Sequence, residues 1–101
     1  MNFLRAGIAL PKGDQMKLGQ LLKELREKAG LCQRQVAHGL GYGTPQFVSN
    51  WERGASNPPV TALKKLCRLY KTDANEVFEL FLKETLAKTE ADLRKTFARS
   101  K

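Results

Sequence analysis

The 101 residues suffice for one domain with one modest core, and an apolar content of 42% excludes wholesale disorder. The formal net charge of +8, from 18 Lys and Arg against 10 Asp and Glu, favours a polyanionic partner: nucleic acid, an acidic membrane surface or an acidic protein. Residues 17–73 hold +6 of that excess, against +1 for residues 1–16 and +1 for residues 74–101, so the polyanion surface is expected on the middle segment. Two cysteines, Cys32 and Cys67, with the single histidine His38, are too few for a disulfide framework or a zinc site, and no metal or cofactor is expected. The apolar patch from Ala6 to Leu10 is too short for a signal-peptide core or a membrane span. The expectation is a soluble, cytoplasmic, nucleoid-associated protein with no membrane partner.

Residues 1–16 show no clear period and are punctuated by Gly7, Pro11, Gly13 and Asp14, so they read as an N-terminal arm. Leu18, Leu21, Leu22 and Leu25 fall at i, i+3, i+4 and i+7, the stripe of a first helix over about 17–29 that Gly30 stops. A short second helix over about 33–40 turns Val36, Ala37 and Leu40 inward. Gly39, Gly41 and Gly43 then break the chain. Thr44 as N-cap and Pro45 as first helical residue open a third helix that runs to Arg53 and ends at Gly54. A fourth helix starts near Val60, with Leu63, Leu66, Cys67 and Tyr70 as its stripe. Asp73 with Glu76 resembles a capping box for a fifth helix from about Ala74. Its apolar residues Val77, Phe78, Leu80, Phe81 and Leu82 are too many for one narrow stripe, and helical character can continue through Leu86, Leu93 and Phe97. No strand alternation is convincing, so the fold class is all-α with five helices.

Residues Lys17 to about Lys83 resemble the lambda-repressor/Cro-like helix-turn-helix (XRE) family of transcription regulators. The residues that carry the resemblance are Leu22, Leu25, Arg26, Gly30 to Gln33, Val36-Ala37, Leu40-Gly41, Val48 to Gly54, Asn57 to Pro59, Leu63, Leu66 and Leu69. The resemblance implies a five-helix lambda-repressor-like domain over 17–83, preceded by the arm 1–16 and followed by a C-terminal helical extension or tail over 84–101. The turn before the third helix departs from the family's common spacing by one extra residue within Tyr42 to Pro45.

The third helix has a separate physical reading. Val48 and Trp51, three residues apart, must share the core face, so Gln46, Ser49, Asn50 and Arg53 point away. That outer face carries amides, a hydroxyl and one cation, and no acid. Gln and Asn can bond adenine edges in pairs, and Phe47 at the border can touch a thymine methyl or join the core. Thr44, Gln46, Phe47 and Asn50 are the expected base-reading residues. Gln33 matches the family's phosphate-binding glutamine at the start of the second helix, where free amides also favour an anion. Arg34, Ser49, Arg53, Asn57 and Lys64 complete the expected phosphate set.

Simpler roles compete for several residues. Arg53 ends a helix, where a cation offsets the dipole, and Lys64-Lys65 can be a solvated face. The resemblance implies that Arg26 and Glu52 form a buried structural ion pair. Trp51 and Cys67 read as core, and His38 as a surface residue. Phe78, Phe81, Leu82 and Leu86 exceed what a four-helix domain can bury and are expected to form a dimer interface.

No nucleophile–base pair, paired carboxylates on a shared face or metal set supports catalysis, and no catalytic residue is expected. The reading is a sequence-specific double-stranded DNA-binding transcription regulator: a homodimeric repressor of a palindromic operator, with a toxin or the transcription machinery as a possible protein partner. An antitoxin or a restriction-modification controller would use the same DNA face. An interaction adaptor on the same fold, or a nonspecific binder acting through charge alone, are the rivals from other classes.

Overall fold

The computed structural model describes residues 16–100, and the expected arm falls outside them except for Met16. Five helices follow in order: α1 (Leu18–Lys28), α2 (Gln33–Leu40), α3 (Gln46–Arg53), α4 (Val60–Leu69) and α5 (Ala74–Arg99). The described residues contain no strand. The all-α, lambda-repressor-like expectation therefore holds.

The apolar stripes meet in one core. Leu18, Leu21, Leu22 and Leu25 of α1, Val36 and Ala37 of α2, and Val48 and Trp51 of α3 are buried together. They join Ala62, Leu63, Leu66, Cys67 and Tyr70 from α4 and its end, and Val77 and Leu80 of α5. α1 packs against α3 and α5, α2 against α3 and α4, and α4 against α5. Burial pushes the Cys67 thiol up to about 11, with Asp73 adding to the shift.

Helix ends follow the sequence with small shifts. The Lys17 and Cys32 backbone N–H groups donate to Gln20 Oε1 (3.1 Å) and Gln35 Oε1 (2.8 Å), each three residues on. α3 begins at Gln46, one residue later than expected, with Pro45 as its cap. Thr44 still acts at this end, because its hydroxyl accepts the Gln46 N–H at 3.3 Å. Gly39 does not break the chain: it lies inside α2, where its open face lets Leu69 approach to 3.4 Å of a Cβ position. The break comes at Gly41, whose φ of 86° lets Tyr42 N–H reach back to the Ala37 carbonyl at 2.9 Å.

α5 is longer than any other helix, at 26 residues. It is continuous across positions 83 and 84, where the sequence suggested a division between domain and tail. Val77 and Leu80 enter the core, and Phe81 packs against its edge. One turn beyond Leu80 on the same face, Glu84 Oε2 accepts the Leu18 backbone N–H at 2.6 Å. A carboxylate there satisfies an otherwise free amide and sits at the positive end of the α1 dipole.

Candidate nucleic-acid interface

α3 is held from behind by an ion pair. Arg26 Nε and Nη2 donate to Glu52 Oε2 (2.7 Å) and Oε1 (3.1 Å), with side-chain exposures of 11% and 4%. Arg26 Nη1 also donates to the Leu31 carbonyl (2.9 Å), which ties α1 to the turn before α2. The hydrogen bond to Glu52 raises the Arg26 pKa against the opposing effect of burial. This is the structural pair implied by the resemblance.

The α1 and α3 backbones come close at the same place. A Cβ at Gly19 would lie 2.6 Å from the Glu52 carbonyl oxygen and 2.7 Å from that of Trp51. Nothing in the leucine stripe announced this requirement. On the other side, Tyr42 packs between Phe47 (centroids 5.0 Å apart) and Trp51 (5.8 Å, edge-on). Sequence reasoning passed over Tyr42; its one signal was an aromatic residue in a glycine-rich turn. Phe47 remains half exposed, at the border of the outer face.

The outer face of α3 is organised before any ligand arrives. Gln46 Nε2 donates to Asn50 Oδ1 at 2.9 Å, and Arg53 Nη2 donates to the same oxygen. Arg53 Nε also donates to Ser49 Oγ at 3.3 Å. Because arginine can only donate, Asn50 must present its oxygen inward to this network and its amide N–H groups outward. Gln46 keeps its Oε1 and one N–H. The face thus offers an acceptor and several donors in a fixed array, rather than four independent side chains.

The remaining predicted residues distribute around this face. Arg34 and Thr44 border one cleft between α2 and the turn before α3. Arg53 and Asn57 border another, with Lys17, which precedes α1, and Gln20 of α1. Gln33 is half-buried, and its Nε2 donates to Glu52 Oε1 at 2.9 Å. That bond uses one of the two amide hydrogens. Lys64 lines a third cleft, with Val60, Cys67 and Phe78, and no hydrogen bond connects it to the α3 network. Among the described residues no cluster of His, Cys, Asp and Glu could hold a metal ion, and no helix is long and apolar enough to cross a membrane.

Known proteins give the same picture. Residues 17–80 match the family model described as a helix-turn-helix domain. The chain is 38% identical over 78 residues to the HTH-type transcriptional regulator ImmR of Bacillus subtilis, which covers 77% of the chain and 59% of that relative. It is 33% identical over 64 residues to the HTH-type transcriptional regulator DdrOP3 of Deinococcus deserti, covering 63% of the chain and 49% of the relative. The chain therefore spans about half to three fifths of the length of these relatives. Together with the geometry of Gln33 to Gly54, the match shows that the chain belongs to the helix-turn-helix domain family, in its lambda-repressor/Cro-like form.

Proposed function

We propose that the protein is a sequence-specific double-stranded DNA-binding transcription regulator, a homodimeric repressor that reads a palindromic operator in the major groove. The observation that carries the proposal is the exposed α3 network of Gln46, Ser49, Asn50 and Arg53, fixed from behind by Val48, Trp51 and the Arg26–Glu52 pair. An acid-free face with outward amide donors and acceptors suits base edges, and its prior order lowers the entropy cost of docking.

In this role Thr44, Gln46, Phe47 and Asn50 face the bases. Gln46 presents an acceptor and a donor, the complement of the adenine N6 and N7 pair. Arg34, Ser49, Arg53 and Asn57 meet phosphates on either side, with Lys64 adding charge at the start of α4. Gln33 binds a phosphate with the amide hydrogen that Glu52 leaves unused, so Glu52 orients the side chain that positions the domain. Phe78, Phe81, Leu82 and Leu86 belong to the dimer contact. The protein is a binding module and not an enzyme, and acts in the cytoplasm at the nucleoid.

In-vitro selection from random duplex DNA with the purified chain, at about physiological salt, tests the proposal. The expected result is a recovered palindrome whose half-sites lie about one helical turn, ~34 Å, apart. Binding of random DNA without enrichment would mean that the charge acts alone. Absence of DNA binding would remove the function.

A further inference from the structure

α5 has a second apolar face that its own domain leaves uncovered. Val77, Leu80 and Glu84 face the core and α1. At about 100° per residue, Phe78, Leu82, Leu86, Leu93 and Phe97 fall on a different stripe of the same helix. Leu86, Leu93 and Phe97 are 60%, 64% and 82% exposed. Every residue from Leu86 to Ser100 is exposed, so roughly half of a helix about 39 Å long projects beyond the core. The ion pairs Lys88–Asp92 and Glu90–Arg94 along it are exposed i,i+4 pairs that add only a few tenths of a kcal/mol each. A projecting segment of that length is marginal alone in water.

The charges along α5 say what covers the stripe. Residues 74–87 carry Glu76, Glu79 and Glu84 against Lys83, a net of −2. Residues 88–101 carry Lys88, Arg94, Lys95, Arg99 and Lys101 against Glu90 and Asp92, a net of +3. A parallel, in-register pair of α5 helices would set acidic half on acidic half and basic on basic. An antiparallel pair sets each acidic half on a basic one.

We infer that α5 pairs antiparallel with α5 of a second copy of this chain, along the stripe from Phe78 to Phe97. With the two-fold axis between Ala87 and Lys88, Leu82 comes level with Leu93 of the second copy and Phe78 with its Phe97. The same register brings Lys83 to within about two residues, ~3 Å, of level with Glu90 of the second copy, and Glu79 likewise with its Arg94, each pair occurring twice by symmetry. Phe78 also lines a cavity of about 250 Å³ between α4 and α5, with Val60, Leu63, Cys67 and Ala74. Phe97 of the second copy arrives beside that cavity. The core-facing side of each α5 points away from the seam, so the pair leaves both domains outermost. This deepens the dimer in the proposed function: the projecting half of α5 supplies Leu93 and Phe97, which lie beyond the four dimer residues expected from sequence.

The test uses the full chain and no DNA, so its outcome is independent of whether the protein reads an operator. A spin label is placed on Ser100→Cys in a Cys32→Ser background, with Cys67 buried and unlabelled. Antiparallel pairing puts the labels about 25 residues apart along the seam, ~38 Å. A parallel pair would put them within about one interhelical spacing plus the label arms, ~10–20 Å. Sedimentation should also show that Leu93→Gln with Phe97→Gln raises the dimer dissociation constant more than about tenfold, with unchanged helical signal at low concentration. Glu79→Lys should weaken association by placing like charges beside Arg94. A short label distance, a chain monomeric at all concentrations, a dimer indifferent to Leu93 and Phe97, or one that Glu79→Lys leaves unchanged or strengthens would each overturn the inference. A monomer would assign the stripe to another protein or to another segment.

Discussion

Replacing Glu52 with alanine is the perturbation that most severely tests how α3 is held. The change removes the carboxylate that accepts two bonds from Arg26 and one from Gln33. It leaves the Arg26 guanidinium, 11% exposed, bonded to the Leu31 carbonyl but without its carboxylate partner. Breaking one side of a buried pair costs about 3–5 kcal/mol, because the remaining charge is desolvated without compensation. For a chain of this size each kcal/mol lowers the unfolding midpoint by about 4–8 °C, so the variant should melt at least ~12 °C lower. Urea unfolding at neutral pH, followed by far-ultraviolet circular dichroism, gives the free energy directly. The double change Arg26→Met with Glu52→Leu should recover most of the loss, since an apolar pair of similar volume has no charge to desolvate. A Glu52→Ala cost below about 1 kcal/mol would refute the reasoning, because that is how a solvated surface pair behaves.

Further outcomes follow from the packing. Gly19→Ala should destabilise by roughly 1–3 kcal/mol in spite of alanine's better helix propensity, because its Cβ would meet the Glu52 and Trp51 carbonyls at 2.6 and 2.7 Å. A raised melting temperature would contradict that close approach. Glu84→Ala should cost about 1 kcal/mol and speed amide exchange at Leu18, whose N–H it bonds at 2.6 Å; unchanged exchange would deny the cap. At pH 8 a thiol reagent should label exposed Cys32 at once and Cys67 only after unfolding. Cys67 is raised from 9.0 to about 11 in the fold, so the stability it supports is present below pH 9 and lost between 9 and 11. Relative to Cys67→Val, the unmodified protein should therefore weaken across that interval, and parallel pH curves would refute the shift.

The parts of the fold written in local periodicity were legible. Leucines at i, i+3, i+4 and i+7 placed α1, the glycines at 30, 41 and 54 marked helix ends, and the spacing of Val48 from Trp51 assigned the two faces of α3. The Arg26–Glu52 pair came from the family pattern rather than from spacing, since its members stand 26 residues apart. What stayed hidden depends on contacts between elements. Gly19 drew no expectation from the leucine stripe around it and is the point where two backbones meet. Glu84 fell at the start of the expected C-terminal extension or tail, although it shares a face with Val77 and Leu80 and caps a helix 66 residues away. An acid on an otherwise core-facing stripe was the available sign. Within the site, spacing indicated which side chains leave the core. It did not show that Gln46, Asn50 and Arg53 bond one another, or that Gln33 bonds Glu52.

The central claim is that the α3 face reads bases while Gln33 only positions the domain. Titration of the unmodified protein, Gln46→Ala and Gln33→Ala against a selected site and against random duplex, at one fixed salt, tests it most directly. The account predicts that Gln46→Ala loses roughly 1–3 kcal/mol of discrimination, about 5- to 150-fold, by weakening the selected site alone. Gln33→Ala should weaken both DNAs by the same factor. Equal losses on both DNAs for both variants would contradict base readout by α3.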